Sequence, residues 1–247
     1  MKDTDIIQKL SFWGFPYARV LSHEVNSKEA EEMKKHYAYI QIYSFTKQDL
    51  LGFTLRTQQT PVFDLSQDPE EIFCQFNSTC KKHIRRGERN GDLKIVALDD
   101  NIDESYALYK RIKIQEGAKP DLQREFKNCP LFNAYLDGQM IVTMSLYDNG
   151  EIIRAKHIAS VRKEKEYAKV VAQASRRITW EVIKWGHHSH KKMFDNGGIT
   201  NDPAKAGIRE FKQSFGGKEV EVYIYRYTTP IFSFLKKIVS AAGLEIH

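Results

Sequence analysis

The chain has 247 residues, 41% hydrophobic and 28% charged, which is enough for one large or two small cores and excludes a disordered chain. Its 38 basic and 32 acidic side chains leave a net charge of +6, which favours anionic partners such as phosphates, nucleic acid or an acidic membrane surface without choosing among them. Cys74, Cys80 and Cys129 have neither metal-ligand spacing nor a disulfide framework, so a reducing compartment is expected, with Cys74 and Cys80 in the core. No apolar run approaches the length of a membrane span and the N-terminus does not read as a secretory signal, so the expected localisation is cytoplasmic.

The first predicted strand lies near Tyr17 to Leu21, followed by a charged stretch from Ser27 to Lys35. Tyr37 to Phe45 alternates as a strand, with Ala38, Ile40 and Ile42 on one side. Two further strands are predicted at Leu51 to Thr57 and Pro61 to Leu65. Asp68-Pro69-Glu70-Glu71 is a helix start, with a capping carboxylate, proline in the first turn and an acid three residues beyond the cap. One helix is predicted from there, burying Ile72, Phe73, Phe76, Cys80 and Ile84 and ending at Asn90-Gly91. Its basic residues 81–89 suit either the negative end of a helix dipole or an anionic ligand, and a solvated face is the commoner outcome for such a run.

Leu93 to Leu98 reads as a strand and Asn101 to Glu116 as a helix with Leu108 and Ile112 on one face, stopped by Gly117. A short amphipathic segment follows at Leu122 to Lys127. Leu131–Leu136, Met140–Tyr147 and Ile152–Ser160 form a three-strand meander, joined by Asp137-Gly138 and Asn149-Gly150, dipeptides that favour two-residue hairpin turns. Val171 to His190 is a long helix crossing over to a short buried strand at Met193 to Asp195. Asp202-Pro203 opens another helix, which carries Ile208, Phe211 and Phe215 on one face, with Lys212 at its edge, and ends at Gly216-Gly217. Glu219 to Tyr227 is the last strand. Residues 230–239 mix large apolar side chains with Lys236 and Lys237, as suits a terminal helix packed on the domain or, less commonly, peripheral contact with an anionic membrane.

Two patches carry a family resemblance. Phe194-Asp-Asn-Gly-Gly-Ile199 followed by Gly207-Ile-Arg-Glu-Phe-Lys-Gln-Ser-Phe-Gly-Gly217 resembles the C-terminal signature of the FemAB-like branch of the GNAT acyltransferases, which includes peptidoglycan-bridge aminoacyltransferases. Cys80-Lys-Lys-His-Ile-Arg-Arg-Gly-Glu-Arg-Asn-Gly91 is similar to a basic helix end of the same family, and the resemblance spans roughly residues 37 to 228. It implies an α/β fold with a GNAT-like mixed, mostly antiparallel sheet flanked by helices. It also implies a domain at 36–229, an N-terminal extension at 1–35 left from a first half-domain, and a C-terminal amphipathic tail at 230–247.

The activity implied is acyl or aminoacyl transfer, forming an amide on an amino group of a cell-envelope sugar or peptide precursor. The anionic donor is then aminoacyl-tRNA or acyl-coenzyme A, and tRNA is a candidate partner. In that chemistry a carbonyl and an amine are held at attack distance while positive charge meets the developing oxyanion. Lys212 matches the lysine of the family's Phe-Lys pair and is the candidate for that charge, with Phe211 beside it. Asp195, Gly197 and Gly198 match the family's Asp-x-Gly-Gly, the aspartate orienting neighbours or holding the turn. His157 faces either the acceptor or ordinary packing and is not included in the site.

Many acetyl-coenzyme A users bind pyrophosphate with a glycine loop at the start of the long helix. Residues 160–175 contain no glycine, and Arg176 and Arg177, read as lying in the first turns, would have to supply the charge instead. That departure leans towards an aminoacyl donor. Two alternatives stay open, a coenzyme A-dependent N-acetyltransferase and a catalytically silent GNAT-like module binding RNA or an envelope-synthesis partner. His187, His188 and His190 with Asp195 match no standard metal spacing, so no metal is expected.

Overall fold

A computed structural model describes residues 6–12, 14–161, 167–200 and 202–241. Residues 162–166, within the glycine-free stretch, lie outside the described residues, as do 242–247 and the side chains of Lys236 and Lys237. The chain divides into two compact units, residues 1–60 with 220–247, and residues 61–219.

In the first unit, β1 (Ile6–Phe12) and β2 (Phe15–Ser22) form an antiparallel hairpin, β2 pairs in parallel with β3 (Tyr39–Ser44), and β3 pairs antiparallel with β10 (Lys218–Thr228). Neither β1 nor helix α1 (Ser27–His36) was expected. α1 is capped by Asn26, whose side chain accepts from the Glu29 N–H at 2.9 Å, and only Ala30 and Met33 of its residues are buried. The predicted strands at 51–57 and 61–65 are one strand, β4 (Thr54–Asp64), which carries the chain into the second unit. α7 (Pro230–Ala241) anchors Phe232 against Phe15 and Tyr39, with ring centroids 5.7 and 6.3 Å apart.

The second unit is built on a sheet in the order β4-β9-β8-β7-β6-β5, with β5 at Leu93–Ala97, β6 at Leu131–Leu136, β7 at Gln139–Asp148, β8 at Ile152–Ser160 and β9 at Met193–Asp195. The pairings are antiparallel except β8 with β9, because a crossover helix, α5 (Ala168–His188), separates those two. The mixed, mostly antiparallel α/β architecture is the expected one. Asp137 and Gly138, at φ +50° and +80°, make the predicted two-residue turn. The second hairpin differs. Residues 149–151 form a three-residue loop in which Gly150 takes φ +94° and the Asn149 carboxamide oxygen accepts from the N–H groups of Glu151 and Ile152.

Helix α4 (Ile102–Gln115) starts at its Asn101 cap and buries Leu108, Tyr109 and Ile112. On β6, Phe132 meets Trp185 of α5 at 5.6 Å while its neighbour Asn133 bonds Ser105 of α4 at 2.9 Å, so α4 and α5 cover opposite faces of the sheet. The single helix expected after Asp68 is two, α2 (Pro69–Cys74) and α3 (Ser78–Arg89). The Asn77 side chain caps α3 by accepting from the Cys80 N–H at 2.8 Å. The break leaves Cys74 exposed, contrary to expectation, while Cys80 is buried. α6 (Ala206–Gln213) follows a 3-10 turn and stops four residues short of Gly217.

Gly216, at φ +69°, lies so close to α2 that an added Cβ would stand 2.7 Å from the Gln75 carbonyl oxygen. Gly216→Ala is expected to lower the unfolding free energy by about 2–3 kcal/mol, from backbone strain plus overpacking, as measured by chemical denaturation.

Candidate functional site

The site grows from the place where two parallel strands part. β8 and β9 are in register over only three pairs, the last being Arg154 with Asp195; β8 then continues to Ser160 while β9 ends. Gly197, at φ +77°, turns the chain away, leaving the edge of β8 from Ala155 onward without β9.

Asp195 holds this fork together. It is fully buried; one carboxylate oxygen accepts from the Arg154 guanidinium, itself buried, and the other accepts from the Gly197 N–H at 2.7 Å. The same carboxylate thus fixes the strand pair and the turn beyond it. Gly197 is needed for space as well as for its φ, because a Cβ there would lie 3.0 Å from Lys212 Nζ and 3.3 Å from the Ala155 carbonyl oxygen.

Lys212 comes from α6 into that space. The residue is 7% exposed, its Nζ donates to the Gly198 carbonyl oxygen at 2.9 Å, and among the described residues no carboxylate pairs with it. Burial pulls its pKa down to about 7, with the nearby Arg154 charge adding to the effect. The fork therefore holds an amine poised between its charged and neutral forms, beside a backbone carbonyl and with no counter-ion among the described residues.

The structure brings Asp195, Gly197, Gly198 and Lys212 together. Phe211 turns to the other side of α6, where it meets Phe215 at 5.2 Å and lies under the Arg176 guanidinium at 5.2 Å. Arg176 and Arg177 are not in the first turns of α5. They follow its start at Ala168 by eight and nine residues, about 12 Å along the axis. Arg177 is engaged by α3 and β5, donating to the carbonyl oxygens of Gly87 at 3.0 Å and Leu93 at 3.4 Å.

A second buried polar cluster lies on the α4 face. The ladder between β7 and β8 slips at Lys156, where Ser145 pairs with His157 but Leu146 pairs with Ala155. The extra residue turns both Lys156 and His157 to the same face. His157 is 4% exposed, stacks on Phe126 at 4.3 Å, and lies 2.8 Å from both the Asp121 carboxylate and Ser145 Oγ. Burial takes its pKa down to about 4 despite Asp121, so the ring is neutral near pH 7. Lys156 Nζ lies 3.2 Å from the Glu125 carboxylate and 4.7 Å from the Tyr147 ring centre. Ligand atoms of Asp121, Glu125 and His157 stand within 4.8 Å of one another, a spacing a metal ion could bridge, but Lys156 already neutralises Glu125. Sequence reasoning noticed His157 and missed its partners, because nothing in residues 152–160 marks the bulge. His187 and His188 instead approach the carbonyl oxygens of Leu65 at 3.0 Å and Lys184 at 2.7 Å.

Asp195→Ala should cost about 3–5 kcal/mol of stability by leaving Arg154 buried without its partner, as read by denaturant unfolding. Lys212 has a folded pKa near 7, below its value in the unfolded chain, so between the two the unfolded state binds more protons and stability rises with pH. Lys212→Met is accordingly expected to unfold at a higher temperature than the parent at pH 7, with the gap closing towards pH 10.

No family model and no curated protein matches the sequence. Solved structures do match. The fold is similar to that of FemX, at a TM-score of 0.60 and 13% identity over 90% of this chain and 83% of that one. It is also similar to the C-terminal domain of a protein named as a lysylphosphatidylglycerol synthetase from Agrobacterium fabrum, at 0.56 and 12% over 90% and 82%. L-PGS from Bacillus licheniformis matches at 0.55 and 12% over 91% and 82%. At these identities the likeness is one of fold alone.

Proposed function

We propose that the protein is an acyl- or aminoacyltransferase that forms an amide on an amino group of a cell-envelope sugar or peptide precursor. The observation that carries this reading is Lys212, a buried amine at the fork of β8 and β9 that has no carboxylate partner among the described residues. The acceptor nitrogen attacks the acyl carbonyl carbon, a C–N bond forms, and negative charge gathers on the carbonyl oxygen. Collapse of that intermediate breaks the bond to the donor's ester oxygen or thioester sulfur, and the proton lost by the nitrogen ends on that leaving atom, giving the amide and the free hydroxyl or thiol. Protonated Lys212 supplies positive charge to the oxyanion in a site from which water is largely excluded, where such an interaction is strong. Asp195 and Gly197 serve by holding the fork open at the right place, Gly198 by orienting the lysine, and Phe211 by anchoring α6.

The donor is aminoacyl-tRNA or acyl-coenzyme A. The similarity to a protein named for joining a lysyl group to phosphatidylglycerol supports the aminoacyl choice. Among the described residues no helix is long and apolar enough to cross a membrane. Ile231, Phe234 and Ile238 of α7 are exposed at helical spacing, which supports peripheral membrane contact through 230–239.

The test is product formation from aminoacyl-tRNA and from acetyl-coenzyme A with amine acceptors, followed by mass spectrometry. Lys212→Ala should lower kcat by about 10²–10³-fold with little change in donor binding. Because the protonated lysine is the active form, kcat/KM should fall as pH rises through about 7 in the free enzyme, and this limb should move to higher pH in Lys212→Arg. An undiminished rate in Lys212→Ala would overturn the assignment.

A further inference from the structure

The seam between α3 and α5 gathers four basic groups, among them Arg176, read above as a source of charge for the donor, whose Nη1 donates to the Ala172 carbonyl oxygen at 3.1 Å. Lys82 and Arg86 stand exposed on α3, His83 lies half-buried between them, and Arg176 reaches the same place from α5. Among the described residues, none of Lys82, Arg86 and Arg176 forms an ion pair with a carboxylate. His83 Nδ1 and Arg176 Nε are buried without a hydrogen-bond partner. The neighbouring Cys80 offers no compensating charge, since burial pushes its thiol up to about 11 and keeps it neutral.

Helix energetics do not call for this arrangement. A helix dipole rewards cations in the last turn, which covers Arg86 and Arg89, but Lys82 is the fifth residue of α3 and Arg176 is in the middle of α5. Burial, followed by Arg176, Arg86 and Lys82, holds His83 below the usual imidazole range, as expected where like charges crowd without an anion. The seam is also firmly built. A Cβ on Gly87 would lie 2.7 Å from Arg177 Cδ, and Arg177 Nη1 donates to the Gly87 carbonyl oxygen at 3.0 Å, so the spacing of the two helices is fixed.

We propose that Lys82, His83, Arg86 and Arg176 form a phosphate-binding site and, resting on the acyl-transfer reading, that the phosphate belongs to the acyl donor. A phosphate presents several oxygens at once to donors converging from two helices, and guanidinium groups match it as forked donors. The link to the donor is one of proximity: the Arg176 guanidinium lies 5.2 Å from the ring of Phe211, on the helix α6 that also carries Lys212, although the two side chains leave that helix in different directions. An RNA phosphodiester and the phosphates of coenzyme A share this chemistry.

The experiment is calorimetric titration of the whole chain at fixed ionic strength with three probes: inorganic pyrophosphate, coenzyme A, and a short RNA hairpin with a single-stranded 3′ end. The parent, Arg86→Glu, Arg176→Met and the control Lys94→Glu on β5 are compared, with folding checked by circular dichroism. The parent should bind at least one probe, and the probe bound most tightly identifies the source of the phosphate. Arg86→Glu, whose side chain is exposed, should weaken binding at least tenfold and make the salt dependence shallower by about one ion, while Lys94→Glu changes neither. No binding of any probe by the folded parent, unchanged binding in Arg86→Glu, or equal weakening by Lys94→Glu would each overturn the site. If Arg86→Glu forms product with an unaltered donor KM, this inference fails and acyl transfer stands. If phosphate binding is lost in Arg86→Glu but the parent forms no product from either donor, the site stands and the acyl-transfer reading fails.

Discussion

The candidate site depends on one buried ion pair. Asp195 ties Arg154 on β8 to the end of β9 and, with its other oxygen, fixes the turn at Gly197. Two parallel strands that stayed paired would leave no room between them. Because this pair is the last rung of the ladder, a side chain from α6 can enter between the strands, and Lys212 is the one that does. Buried ion pairs are a weak means of raising stability, since desolvation consumes most of their Coulomb energy. Here the pair is better understood as fixing where the strands diverge.

The enclosed amine has an energetic meaning. Keeping Lys212 charged in this surrounding costs about 5 kcal/mol relative to water, judged from its displaced pKa. An anion arriving at the fork would relieve that cost, so the free site is arranged to interact most strongly when negative charge appears. A lysine already paired with a carboxylate would have no such reserve. The same reasoning applies to the cations between α3 and α5, whose charges crowd one another.

Much of this was legible in the chain. The cap at Asp68, the helix from Asn101, the Asp137-Gly138 turn, the meander and the crossover helix follow from local signals whose physics is local, whereas Asp195, Gly197 and Lys212 are singled out by the family resemblance of their motifs. The failures share a different origin. β4 reads as two strands because Gln58 and Gln59 interrupt the apolar pattern, although the strand continues through them. α2 and α3 read as one helix because no glycine or proline marks the break at Asn77. α1 leaves little trace in the sequence because its order comes from a cap and from Glu31–Lys34 and Glu32–Lys35 ion pairs, with few apolar residues to show a period. The depth of Arg176 and Arg177 is set by the start of α5 at Ala168, which the glycine-free stretch does not mark. The enclosure of Lys212 is a tertiary fact, since its place on an amphipathic helix suggested an edge.

The slipped rung at Lys156 also changes how β8 should be compared with strands of related folds. Side chains before the bulge and after it obey opposite parities, so Ile153 and Ala155 share the α5 face while His157 and Ala159 share the α4 face, although all four numbers are odd. An alignment that carries one rule of alternation along the whole strand would assign half of it to the wrong side. A one-residue gap there would be a feature of the fold, and losing that residue would exchange the inner and outer surfaces of the strand's last four positions.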